Sequence, residues 1–206
     1  MSKASNAMAM YETAKIWRNQ SKCTRLKVGA VLAANGKIIS HGYNGTPKNF
    51  KYNCDDLFKY DGRTPMISQK LKTLLTDYDG DIPSKRIEVD GTFYYKTTVD
   101  IFKMWHHRFS DIYEIHAEPN AIMSVFVNGT NIKSEDMVLF VTTAPCEMCC
   151  KLIGQIGIKT VVYGDAYDRF GVQHIQEILD NFGVKIYQID DYIKMLERGN
   201  GNKKTN

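Results

Sequence analysis

No stretch of this chain is apolar for long enough to cross a bilayer, which removes a transmembrane helix from consideration. Met1 to Ala7 lacks the basic and apolar segments of a secretory signal, so a cytoplasmic location is expected. Cysteine is sparse and unevenly spread. Of five, Cys146, Cys149 and Cys150 crowd into five positions, while Cys23 and Cys54 stand apart. An odd count so arranged is a poor disulfide framework and suggests metal ligation in a reducing compartment. Charge of one sign is also scarce: the net value of +4 is too small to imply a nucleic-acid partner. It mildly favours an anionic ligand such as a phosphate, with a plain solvated surface as the alternative.

What is present is ordinary in amount. A length of 206 residues suits one domain with a substantial core. We read residues 1–197 as that domain and 198–206 (RGNGNKKTN) as a disordered tail. Residues 4–19 place Met8, Tyr11, Ala14, Ile16 and Trp17 near a helical period. The segments LKVGAVLA and KIISHGYNG flank Asn35-Gly36 and read as a hairpin of two strands. From about 48 to 113 the chain is polar and shows little period, and we treat it as an insertion, because a structureless loop of that length is unusual in a compact core.

The pattern returns with a helix over 117–127, a strand MVLFVTT and a helix CEMCCKLIGQIG. A strand TVVYG, a helix over 172–181 and a last strand VKIYQI follow. Strands alternating with helices predict a mostly parallel sheet covered on both faces, made mixed by the opening hairpin.

Two segments carry the chemistry: His116-Ala117-Glu118, and Pro145-Cys146-Glu147-Met148-Cys149. Cys-x-x-Cys at a helix start brings two sulfurs within reach of one metal, and the helix dipole favours their thiolate form. His116, at the start of another helix, supplies a third ligand. Three protein ligands leave the fourth tetrahedral position open, as in a catalytic zinc. Glu118 stands two residues on, near the metal without ligating it, placed to take a proton from water and return it to the ring and the departing amine. A structural half-site or a redox pair would explain the Cys-x-x-Cys alone. The whole constellation matches the zinc-deaminase signature. Successive helical residues point about 100° apart, so Cys150 should face the core and not the metal.

The runs KVGAV at 27–31, GYNGTP at 42–47, EIHAEPNAI and TTAPCEMCCKLIGQIGIKTVVY resemble the cytidine and deoxycytidylate deaminase family, and its phage-type deoxycytidylate branch in particular. The resemblance implies a three-layer α/β/α fold around a five-stranded mixed sheet, with the long insertion between the second strand and the His-Ala-Glu helix. It implies hydrolysis of deoxycytidine monophosphate (dCMP) to deoxyuridine monophosphate (dUMP) and ammonia, supplying dUMP for thymidylate synthesis. Asn44 resembles the asparagine that contacts the deoxyribose, although turn formation would also explain it. Tyr167 is a candidate to stack near the base, or only packs locally. Arg25 and Lys27 are candidates for the phosphate, with plain surface charge as the alternative.

Phage-type members also carry an additional, structural zinc held by Cys, Cys, His and Glu, and this chain offers Cys23, Cys54, His106 and Glu114 in that order. His107 is an alternative to His106. On one unbroken helix the backbones of His106 and Glu114 would stand about 12 Å apart, too far for one ion, so a turn near Ser110-Asp111 is expected. The resemblance further implies a homo-oligomer, often a hexamer. It also implies activation by deoxycytidine triphosphate (dCTP) and inhibition by thymidine triphosphate (dTTP) with magnesium, in the cytoplasm of the host for a phage-encoded chain. Val127 and Ser124 stand where phage relatives have an arginine and an aromatic. Deamination of tRNA or single-stranded DNA would call for a basic groove lined with aromatics, which is not evident. A non-catalytic zinc module would be free to lose Glu118, which is present.

Overall fold

The computed structural model describes residues 2–60, 62–78, 85–129, 132–167 and 171–201. In chain order the elements begin with α1 (Lys3–Arg18), β1 (Gly29–Ala34), β2 (Lys37–Tyr43), α2 (Cys54–Leu57), β3 (Phe58–Tyr60), β4 (Pro65–Ser68) and α3 (Gln69–Leu74). Next come β5 (Arg86–Val89), β6 (Thr92–Lys96), α4 (Val99–Tyr113) and α5 (Ala117–Asn128). The chain continues with β7 (Met137–Thr143), α6 (Glu147–Ile156), β8 (Thr160–Asp165), α7 (Val172–Asp180), β9 (Lys185–Gln188) and α8 (Ile189–Gly201). Two compact units emerge: Met1–Ser21, Val28–Asn44 and His116–Asn206 form the first, and Lys22–Lys27 with Gly45–Ile115 form the second.

The first unit is built on a five-stranded sheet of order β2-β1-β7-β8-β9. β1 is antiparallel to both of its neighbours, whereas β7, β8 and β9 run parallel, so the sheet is mixed. Asn35 and Gly36, with φ of 51° and 72°, supply the two positive values that a two-residue hairpin turn needs. Alternation sorts the strand side chains to two faces. Ala30, Leu32, Leu139, Val141 and Val161 pack with Ala121 and Ile122 of α5, Ile153 of α6 and Leu179 of α7. Val31, Ala33, Phe140 and Val162 turn the other way, onto Ala7, Met10 and Ala14 of α1 and Tyr192 of α8. Helices on both faces give the expected α/β/α layers.

One glycine sets how closely the sheet and a helix approach. A Cβ on Gly42 would fall 2.4 Å from the carbonyl oxygen of Ala117 and 2.4 Å from the amide nitrogen of Ala121. Ser40, two residues earlier in β2, donates its hydroxyl to the Ala121 carbonyl at 2.7 Å. The first turn of α5 is therefore seated directly on β2, and His116 and Glu118 with it.

Two expectations are corrected. The tail does not lose its structure at Arg198: α8 runs to Gly201, and 202–206 lie outside the described residues. Ile189, Tyr192, Ile193 and Leu196 recur at helical spacing and pack into the α1 side of the core, which carries the helix forward. Nor does the chain turn near Ser110-Asp111. Phe102, Trp105, His106 and Phe109 form one buried stripe, and that stripe keeps α4 continuous to Tyr113. Glu114 is the cap, its N–H donating to the Ser110 carbonyl at 3.1 Å.

The second unit has its own antiparallel sheet, of order β3-β4-β6-β5. Its core joins Phe58, Ile67, Leu71, Phe102, Trp105 and Phe109. The described residues of the region read as lacking period are thus ordered around an aromatic core. No helix among the described residues is long and apolar enough to cross a membrane.

Candidate active site

His116 is the N-cap of α5 and Cys146 the N-cap of α6, with Cys149 one turn further on. His116 Nδ1 lies 3.4 Å from each sulfur, and the sulfurs are 3.6 Å apart. A tetrahedral zinc with Zn–S of about 2.3 Å and Zn–N of about 2.0–2.1 Å requires N···S of about 3.6 Å and S···S of about 3.8 Å. The donors fit that ion. The Cys146 thiol is drawn down to about 4, first by its hydrogen bond with Cys149 and then by His116, against the cost of burial. Cys149 moves up, through the same bond with Cys146 and through burial. One proton shared between two sulfurs is the arrangement that a dication displaces, leaving both as thiolates.

Glu118 is only 3% exposed. Burial pushes its carboxyl up, His116 opposes that, and Cys146 and Cys149 also act on it directly. The carboxyl therefore belongs to the triad's surroundings. Cys150 points away into the main core, where burial lifts its thiol to about 12.

A second triad lies in the second unit. His106 Nε2 is 3.2 Å from Cys23 Sγ and 3.4 Å from Cys54 Sγ. All three residues are buried, and their donor atoms lie within 4.8 Å of one another. His106, not His107, is the histidine of this cluster. Cys23 is drawn down to about 3, first by its hydrogen bond with Cys54 and also by His106, while Cys54 moves up. Glu114 is not one of the three donors, yet its charge acts on Cys54.

The substrate candidates come from separate stretches of the chain. Asn44 is buried at the end of β2, where its Oδ1 accepts from Val28 N–H at 2.7 Å and its carbonyl accepts from the Ser21 hydroxyl at 2.8 Å. Sequence reasoning missed Ser21, since a lone serine after a helix carries no signal of its own. Tyr167 is half-buried in the loop after β8. Arg25 is half-buried and Lys27 exposed, both in the second unit.

A mixed sheet between two helix layers, with His and Cys-x-x-Cys at two helix starts and a carboxylate buried beside them, defines a zinc-dependent deaminase. Residues 1–165 match the family model for the cytidine and deoxycytidylate deaminase zinc-binding region. The chain belongs to the cytidine and deoxycytidylate deaminase family. It is similar to the deoxycytidylate deaminase of Enterobacteria phage T2, 33% identical over 183 residues that cover 89% of this chain and 92% of that protein. ComE operon protein 2 of Bacillus subtilis is 38% identical over 171 residues, 83% of this chain and 64% of its own length. The dCMP deaminase of cyanophage S-TIM5, solved in complex with dCMP and dUMP, superposes with a TM-score of 0.56 at 25% identity. That match covers 91% of this chain and 98% of the other.

Proposed function

We propose that this protein deaminates dCMP hydrolytically, giving dUMP and ammonia, and so supplies dUMP for thymidylate synthesis. The observation that carries this reading is Glu118, buried beside His116, Cys146 and Cys149 in a chain related along most of its length to phage deoxycytidylate deaminases. Those three residues would hold a zinc ion. When bound, it lowers the pKa of a water at its open position from 15.7 towards roughly 7.

The protein's own part is proton movement and positioning. Glu118 takes a proton from the water, delivers it to the ring nitrogen N3, and brings a second to the departing amine. Its desolvated setting favours the protonated form, which suits a carboxyl that must carry a proton and not only shed it. Asn44, fixed by Val28 and Ser21, orients the deoxyribose. Tyr167 stacks near the base, and Arg25 and Lys27 meet the phosphate.

The same reading assigns Cys23, Cys54 and His106 a structural zinc, with Glu114 as a charged neighbour of Cys54. It treats residues 1–197 as one deaminase domain with an insertion at about 48–113. Family likeness extends the proposal to a cytoplasmic homo-oligomer, a hexamer, under dCTP activation and dTTP inhibition with magnesium. Phe126 and Val127 of α5, 62% and 85% exposed, support an assembled state, since apolar side chains so bare are candidates for cover by another copy.

Ammonia release from a panel of cytosine and adenine nucleotides, with and without added triphosphates, tests the proposal. Turnover of dCMP well above all others is expected. Preference for an adenine nucleotide, or no release from any of them, would overturn it.

A further inference from the structure

Strand β2 is the edge of its sheet, with β1 as its one neighbour among the described strands. In an antiparallel ladder, successive residues turn their backbone N–H and C=O to alternate sides. Asn44 N–H donates to the Val28 carbonyl at 3.1 Å, towards the β1 side. The carbonyl of Tyr43, one residue earlier, therefore points off the edge. It is met there by α5: the side-chain amide of Asn120 donates to it from Nδ2 at 2.8 Å.

Asparagine is a modest helix former, and on a helix surface it is most often simply solvated. Three observations set Asn120 apart. Its own N–H donates to the His116 carbonyl at 3.2 Å, so it closes the turn that the metal-ligating histidine opens. Gly42 makes room for its stem, since a Cβ on that glycine would fall 2.9 Å from Asn120 Cβ. Its acceptor belongs to the residue just before Asn44, whose Oδ1 is held by Val28 N–H at 2.7 Å. One side chain thus ties the start of the helix that carries His116 and Glu118 to the strand end that presents Asn44. The other hydrogen bond between these elements, from Ser40 to the Ala121 carbonyl at 2.7 Å, lies further back along β2.

We propose that Asn120 is a positioning residue for the substrate: through the Tyr43 carbonyl it holds Asn44 at a fixed offset from His116 and Glu118, so that sugar and ring are gripped in register. The inference rests on the deaminase reading above and on its contact between Asn44 and the deoxyribose. Asn120 itself touches neither substrate nor metal in this role. A sugar contact is made alike in the bound substrate and in the transition state, so loosening it raises KM and leaves kcat in place. The seat of α5 on β2 does not hang on Asn120, because the Ser40 bond and the close approach at Gly42 also maintain it.

Steady-state kinetics of the zinc-loaded full chain with dCMP test this through a double-mutant cycle. Asn120→Ala should raise KM about three- to tenfold, the scale of one lost hydrogen bond, with kcat within about threefold. Alanine is the better helix former, so α5 should keep its stability and the zinc content should equal that of the wild type. Asn44→Ala should raise KM by about tenfold or more. The double variant should match the KM of Asn44→Ala within about twofold, and not show the product of the two effects, because Asn120 acts only through Asn44. Ser40→Ala, which cuts the other bond between α5 and β2, should leave KM within about twofold of the wild type. An Asn120→Ala variant with wild-type KM overturns the assignment. So do effects that multiply in the double variant, or a Ser40→Ala variant that raises KM as much, since either would make Asn120 one more packing contact. Wild-type KM in Asn44→Ala overturns the sugar contact and the route through it. A wild-type chain that releases no ammonia from dCMP overturns the deaminase reading itself, and this role with it.

Discussion

The two Cys, Cys, His triads are built from the same donors by opposite means. The first draws two ligands from a single Cys-x-x-Cys at the start of α6 and the third from the N-cap of α5. It leaves Cys146 half-exposed and keeps a carboxylate buried alongside. The second gathers Cys23, Cys54 and His106 from three separate stretches, all buried, with Phe58 and Phe102 ringing the histidine at centroid distances of 5.0 and 6.2 Å. An ion in the first can meet a substrate and a proton carrier. An ion in the second would meet only its ligands and hold distant pieces of chain together. Donor identity alone therefore does not separate catalytic from structural roles; the surroundings do.

The sharpest way to break this contrast is Glu118→Gln. If the first site is catalytic through its carboxylate, kcat for dCMP should fall by about 10²–10⁴-fold, with zinc content and melting temperature unchanged. Retained turnover would remove the feature that distinguishes the two sites. Next in size is Cys54→Ser, aimed at the other triad. Zinc per chain, measured by metal analysis, should drop from two to one, and stability should fall by about 3–5 kcal/mol because buried donors lose their common partner. A variant that holds two zincs and melts like the wild type would mean that Cys54 ligates nothing.

The first unit was legible because its signals are local and repeated. Asn35-Gly36 announced the hairpin, and helical and strand periods followed one another from His116 to Gln188. The second unit was hidden by its shortness: β3, β4, β5 and β6 span three to five residues each, too few for alternation to stand out. One signal was available there and went unused. Asp90-Gly91, with φ of 50° and 71°, makes the turn between β5 and β6, and Asp-Gly between IEV and TFYYK is a hairpin pattern. α8 was overlooked for another reason: the glycines and lysines that follow masked the spacing of Ile189, Tyr192, Ile193 and Leu196. For the second triad, the structure brings three of the four candidate donors together and leaves Glu114 out, and the turn expected between His106 and Glu114 is absent. A long apolar stripe outweighed the expected break in α4.

A smaller effect should follow from Gly42→Ala, which touches only the first site. The added Cβ would stand 2.4 Å from two backbone atoms of α5, so the helix has to move, at a cost of about 1–3 kcal/mol. His116 and Glu118 ride on that helix, so kcat should fall about tenfold, as displacing catalytic groups by a fraction of an ångström commonly does. Chelator competition should show zinc leaving the first triad sooner while the second keeps its ion. Equal loosening of both would argue that the two sites are not independent.

The smallest expected change sharpens the comparison from the other side. Thr24 supports Cys54 twice: its N–H donates to the sulfur at 3.5 Å, and its hydroxyl shares a second hydrogen bond with that sulfur at 3.6 Å. Thr24→Val removes only the hydroxyl contact and keeps the shape of the side chain. Hydrogen bonds from outside the ligand set tune a thiolate's hold on its metal, and one such bond contributes about 0.5–1.5 kcal/mol. Chelator should therefore extract the second zinc several-fold faster from this variant, while kcat and KM for dCMP stay as in the wild type. Unchanged extraction would mean that the Thr24 hydroxyl does not tune the sulfur's hold on its metal. A fall in kcat at intact zinc content would mean that the second triad reaches the chemistry after all, and the division between a working site and a holding site would have to be given up.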